Sequence, residues 1–259
     1  MRLAVSALLL ALVATPAAAH FQEILPSDDV LPEGGTVTID LVFTHPMERG
    51  PTMDMARPAR VGVMANGAVR DLTPAIEEKK VDGKSAWTLS DTLQEPGAAV
   101  YFVEPQPYWE QAEKKWITHY SKVIVDSYAS GEGWDAMVGL PVEIEPLVRP
   151  TGLWTGNLFR GIVRNDGKPV PFAEIEVEWV NDGSVTTPNE AFITQVIKAD
   201  GNGVFAYAMP HAGWWGFAAL IDGPKTKAPD GSEADSELGG LIWVKASDMS
   251  AASKLLIKQ

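Results

Sequence analysis

The sequence predicts an all-β fold: two antiparallel β-sandwich modules that follow a cleaved export signal. Three observations predict it. Short runs rich in β-branched and aromatic residues recur from Val37–Phe43 to Leu241–Val244. Clusters of Gly, Pro, Asn and Asp separate them, as turns separate the strands of sandwiches. In Glu174–Trp179 the alternation is strict, with acidic residues on one face and Ile175, Val177 and Trp179 on the other.

The elements follow in chain order. Residues 1–19 read as a signal peptide. Arg2 is its basic start, and Leu3–Val13 is an apolar stretch shorter than the ~20 residues a spanning helix needs. Ala17 and Ala19 permit cleavage before His20. Cleavage after Ala17 would instead leave Ala18-Ala19-His20, an amine with histidine third, which can wrap Cu(II) or Ni(II) in a square plane. Residues 20–149 form the first expected module. Its strands are 37–43, 59–64, 85–89, 98–103, 115–120, 122–126 and 143–147. Asn66-Gly67 makes a hairpin turn. Gly131–Val138 is expected to form one short helical turn. Asp28-Asp29 and Glu77-Glu78 read as solvated loop charge. Residues 150–259 form the second module, entered through Pro150-Thr151-Gly152. Its strands are 158–164, 173–179, 194–198, 204–210, 213–220 and 241–244. Asp222–Ser236 reads as a charged, mobile loop.

Composition narrows the function. The 259 residues carry a formal charge of −13 and no cysteine. An acidic chain is a poor partner for nucleic acid or an anionic membrane surface. An exported chain without cysteine has no disulfide, thiolate site or thiol catalysis. Any transition metal must use histidine, carboxylate, methionine or backbone, a donor set suited to Ni, Cu, Co or Zn. No G-x-S-x-G, H-E-x-x-H, Walker or Rossmann pattern is present, and a binding protein rather than an enzyme is expected.

Only four histidines are available: His20, His45, His119 and His211. As the mature first residue, His20 offers an α-amine and an imidazole, which titrate near ~7.7–8.0 and ~6.5, so a metal can displace their protons at neutral pH. His45 ends a strand and is stiffened by Pro46. His119 shares a strand face with Ile117, while Thr118 and Tyr120 point the other way. His211 caps a strand beside Gly213-Trp214-Trp215-Gly216-Phe217. All four are candidate metal ligands. Met47, Met53 and Met55 offer soft sulfur, but such residues more often fill a loop core. The tryptophans read mainly as core.

Two resemblances extend this reading. Gly161-Ile162-Val163, Asp166–Ala173 and Asp200–Phe205 resemble the carboxypeptidase regulatory-like and transthyretin-like (Ig-like) sandwiches, usually non-catalytic. The mature chain resembles the DUF4198 family of exported bacterial proteins. The carrying segments are Ala19–Gln22, Phe43–Pro46 with Met53–Pro58, Tyr101–Pro105, Gly131–Asp135, Leu153–Asn157 and Gly213–Phe217. That resemblance implies a periplasmic component of nickel or cobalt uptake. It would bind Ni(II) or Co(II), with Cu(II) and Zn(II) as alternatives, and pass the ion to an inner-membrane importer. No stable membrane anchor of the chain's own is expected. The competing expectations are a non-metal β-sandwich interaction module and a copper mono-oxygenase built on an N-terminal histidine brace.

Overall fold

The computed structural model describes residues 20–250. The export signal expected over 1–19 and the tail over 251–259 lie outside the described residues. The strands of the first half are β1 (Phe21–Pro26), β2 (Val30–Leu31), β3 (Gly35–Thr44), β4 (Arg60–Ala65), β5 (Ala68–Asp71), β6 (Glu77–Val81), β7 (Lys84–Leu93), β8 (Gly97–Glu104), β9 (Tyr108–Glu110) and β10 (Lys115–Ser127). Those of the second are β11 (Val142–Pro146), β12 (Leu153–Trp154), β13 (Leu158–Asn165), β14 (Lys168–Pro169), β15 (Glu174–Trp179), β16 (Gln195–Lys198), β17 (Val204–Ala208), β18 (Gly213–Asp222), β19 (Thr226–Lys227) and β20 (Glu233–Ser247).

The strands form three sheets in three layers. A twelve-stranded sheet runs β16-β15-β18-β20-β10-β8-β4-β5 along its main path. A four-stranded sheet, β1-β3-β7-β6, packs on one face, and a second, built from β11, β13, β14 and β17, packs on the other. Side-chain alternation feeds both cores from the same strands. Leu241, Trp243, Val123, Val125 and Tyr101 enter one core, while Ile242, Val244, Ile124 and Val100 enter the other. This explains why the central strands read as unbroken apolar runs, the pattern of strands buried on both faces.

The all-β sandwich expectation is met, and two strand pairings cross the expected 149/150 division. β10 pairs in parallel with β20, from Lys115↔Asp235 to Val123↔Trp243. β11 pairs with β13, from Val142↔Asn165 to Pro146↔Gly161.

Several local expectations change. The two segments 115–120 and 122–126 are one strand, because their pairing with β20 continues through Ser121. Gly131–Val138 is irregular rather than helical, since its turn does not propagate. Glu77 and Glu78 open β6. Asp29 is buried, not solvated: its carboxylate meets Lys245 at 3.5 Å and accepts the Gly152 N–H at 3.3 Å. The expected loop 222–236 contains β19 and the start of β20. The Ala65-Asn66-Gly67 turn is as read, with φ of 50° and 74° at Asn66 and Gly67 closing the β4–β5 hairpin.

One polar group sits inside the second core. Lys122 is 0% exposed and donates to Glu143 at 2.6 Å. Glu143 also accepts the backbone N–H groups of Val138, Gly139 and Leu140. Replacing Glu143 with alanine strands a buried cation and three donors. The expected loss is about 3–5 kcal/mol by urea unfolding. The double change Lys122→Met/Glu143→Gln is expected to cost less, because no charge is left behind.

Candidate functional site

The register of β1 on β3 starts the site. Phe21 pairs with Thr44, so the next step sets His20 opposite His45. Their ring centroids are 4.6 Å apart. Phe43, two residues before His45, stacks on His20 at 5.6 Å and meets His119 edge-on at 6.3 Å. Tyr108 closes the group, 5.1 Å from Phe43 and 5.9 Å from His20. His20, His45 and His119 are 9%, 4% and 2% exposed. His20 thus stands against both His45 and Phe43, and Phe43 links His20 to His119.

Carboxylates stand behind two of these rings. His20 Nε2 lies 2.9 Å from Glu110 Oε2, carried by β9. His119 Nε2 lies 3.1 Å from Glu237 Oε1, carried by β20. Lys115 bonds the other oxygen of Glu237 at 2.7 Å and Glu113 at 2.6 Å. Gly239 makes room for His119. The two residues pair across the β10–β20 seam, and a Cβ at 239 would overlap His119 Cδ2. On its other side His119 lines a cavity of about 150 Å³, together with Phe43, Met55, Tyr108 and Ile117.

His211 does not join the group. It is exposed, and its ring stands 5.4 Å from Trp179. Gly213 pairs with Ala246, whereas Leu220 pairs with Gly239, the residue that also pairs with His119. Seven residues along one strand are about 23 Å. Strand position therefore separates His211 from His119. Met53 and Met55 are buried in the core, as loop-packing methionines are.

Burial sets the protonation of His20. Desolvation lowers its pKa to about 4, His45 adds to the lowering, and Glu110 opposes it without prevailing. The ring is neutral at pH 7, with a nitrogen lone pair available. Burial acts in the opposite sense on three carboxyls. Glu23 rises to about 8, with Glu178 and Asp40 contributing repulsion. Glu176 rises to about 8, pushed further by Glu237. Glu178 rises to about 7, although it accepts the Thr194 hydroxyl and the Met47 N–H. Sequence reading missed Glu110 and Glu237 as part of the site, because neither strand pairing nor side-chain approach can be read from a single chain. Among the described residues, no group of three or more His, Asp or Glu side chains is placed to hold a metal ion by itself.

The family model of DUF4198, a domain of unknown function, matches residues 17–223, and the chain belongs to that family. The match runs across the 149/150 division and includes all three clustered histidines. No curated protein matches the chain significantly. Similarity to solved structures is slight. The adhesin InvE of Yersinia pseudotuberculosis is 12% identical with a TM-score of 0.23, covering 85% of this chain. The chain spans 58% of that adhesin's length. A two-domain fibronectin type III segment of chicken tenascin is 14% identical with a TM-score of 0.24, covering 88% of this chain and all of its own. A putative carbohydrate-binding protein of Bacteroides uniformis is 11% identical with a TM-score of 0.23, covering 74% of this chain and 90% of its own.

The carboxyls fix the pH dependence of folding. Between pH 4.5 and about 8 the folded chain holds protons on Glu23, Glu176 and Glu178 that the unfolded chain has released, so stability falls as pH rises. His20 acts oppositely, and only between about 4 and 6.5. Three carboxyls outweigh one imidazole, and above pH 6.5 that imidazole no longer opposes them. The urea midpoint is expected to drop from about pH 5 to 8, and Glu23→Gln with Glu178→Gln should flatten the slope.

Proposed function

We propose that the mature protein is an exported, periplasmic carrier of a divalent transition metal, Ni(II) or Co(II), that delivers the ion to an inner-membrane importer. The contacts that join His45 to His20, and both His20 and His119 to Phe43, are the observation that supports it most directly. Three of the chain's four histidines meet at a buried point, and burial keeps His20 neutral, the form that binds metal. The missing donor is the α-amine of His20, which is an amide nitrogen in the precursor. Cleavage after Ala19 would release it beside the three rings. Nitrogen-rich sets of this kind suit Ni(II), Co(II) and Cu(II), with availability choosing among them. The role is binding and hand-over, without a bond-making step.

A second reading is an interaction module without metal. The lack of a self-sufficient three-ligand group among the described side chains favours it.

Metal titration of protein beginning at His20 separates the two. Ni(II) at ten times Kd should raise stability by about 1.4 kcal/mol. One added alanine before His20 should weaken binding about tenfold or more, ~1.4 kcal/mol. His45→Ala and His119→Ala should also weaken it, and His211→Ala should not. Equal affinity with the extra alanine would remove the amine from the ligand set. No thermal shift with Ni(II), Co(II), Cu(II) or Zn(II) would overturn the metal reading and leave the module.

A further inference from the structure

We infer that Glu110 and Glu237 are positioning residues that fix the tautomers of His20 and His119, so that both rings present Nδ1 to a metal. The inference rests on the metal-binding reading above and names how that site is built. A carboxylate without a proton can only accept a hydrogen bond. At 2.9 Å the charge of Glu110 Oε2 would repel a lone pair on His20 Nε2, and so favours the proton there. The 3.1 Å contact of Glu237 Oε1 does the same for His119. Each ring then keeps its lone pair on Nδ1.

Three further observations agree. Nδ1 of His119 is buried and has no hydrogen-bond partner, as a nitrogen reserved for a ligand would be. The Cδ2 and Nε2 edge of that ring is closed off by Gly239 and Glu237, so the opposite edge, which carries Nδ1, faces away from β20. In His20, Nδ1 is the ring nitrogen that can close a six-membered chelate with its own α-amine, through Cα, Cβ and Cγ. Nε2 lies on the far side of the ring and cannot reach. Glu110 thus occupies the nitrogen that chelation does not need. Lys115 holds Glu237 in turn, and Glu113 holds Lys115, so the second carboxylate is fixed from behind. A carboxylate that accepts from a ligand histidine both orients the ring and raises its basicity.

The test reads the metal-free protein first. Imidazole 15N shifts at pH 7 should show the Nε2–H tautomer for His20 and His119. Glu110→Ala should shift His20, and Glu237→Ala should shift His119, toward a tautomer mixture. Glu237→Gln should restore the wild-type tautomer, since its carbonyl oxygen still accepts. Ni(II) affinity should fall about 10–100-fold in each alanine variant and recover in Glu237→Gln. An Nδ1–H tautomer in the wild-type protein, at either ring, would overturn the inference whether or not metal binds. Nε2–H tautomers in a protein that binds none of the four ions would instead overturn the metal reading alone.

Discussion

The parallel pairing of β10 with β20 is the constraint on which the rest depends. It joins strands more than a hundred residues apart and makes one sheet of what would otherwise be two. Without it, each half would expose an open edge of backbone donors and acceptors, a recognised route to aggregation. With it, the central strands are buried on both faces and must be apolar on both. The same pairing builds the site. It sets Gly239 beside His119, and alternation along β20 puts Glu237, two residues earlier, on the same face. The seam that holds the fold together also supplies the second-row partner of the most buried histidine.

Within the cluster, desolvation outweighs charge. Glu110 alone would favour a cationic His20, yet burial and the neighbouring His45 keep the ring neutral. Two cationic rings at a centroid distance of 4.6 Å in a dry pocket would repel each other strongly, and neutral rings avoid that cost. The nearby carboxyls behave in the mirror sense. Burial drives both Glu23 and Glu178 toward their protonated forms, and the charge of Glu178 adds to the effect on Glu23. The cost of burying these groups is met by suppressing their charge, not by pairing each with a cation.

Much of this was legible in the sequence, for physical reasons that differ by element. The strict alternation of Glu174–Trp179 and the Asn66-Gly67 turn are local signals, and both stand where they were read. Strand β1 was missed because Phe21–Pro26 is buried on both sides and shows no alternation. Asp29 was misread because its partners, Lys245 and Gly152, lie far along the chain. The histidine inventory was readable, since there are only four, but which of them meet depends on register. His20 lies opposite His45 because β1 and β3 pair with a fixed offset, while His211 sits at the wrong end of β18. A one-residue slip of β1 would point His20 to the other face.

Charge balance ties the two histidine–carboxylate pairs to the kind of ion the cluster would accept. A divalent cation buried among nitrogen donors alone would be far too costly without compensating charge. Glu110 and Glu237 stand directly behind His20 and His119 and supply two negative charges at second-row distance. Lys115 takes up part of that charge through Glu237, but Glu113 answers it in turn. Glu237 is held ionised with a pKa of about 2: burial would raise it, and its bonds to His119 and Lys115 more than reverse that effect. Glu237 is therefore an anion throughout the neutral pH range. Entry of the ion would leave the ring geometry set by the two carboxylates intact, because neither has to leave its histidine for a metal to bind on the opposite edge.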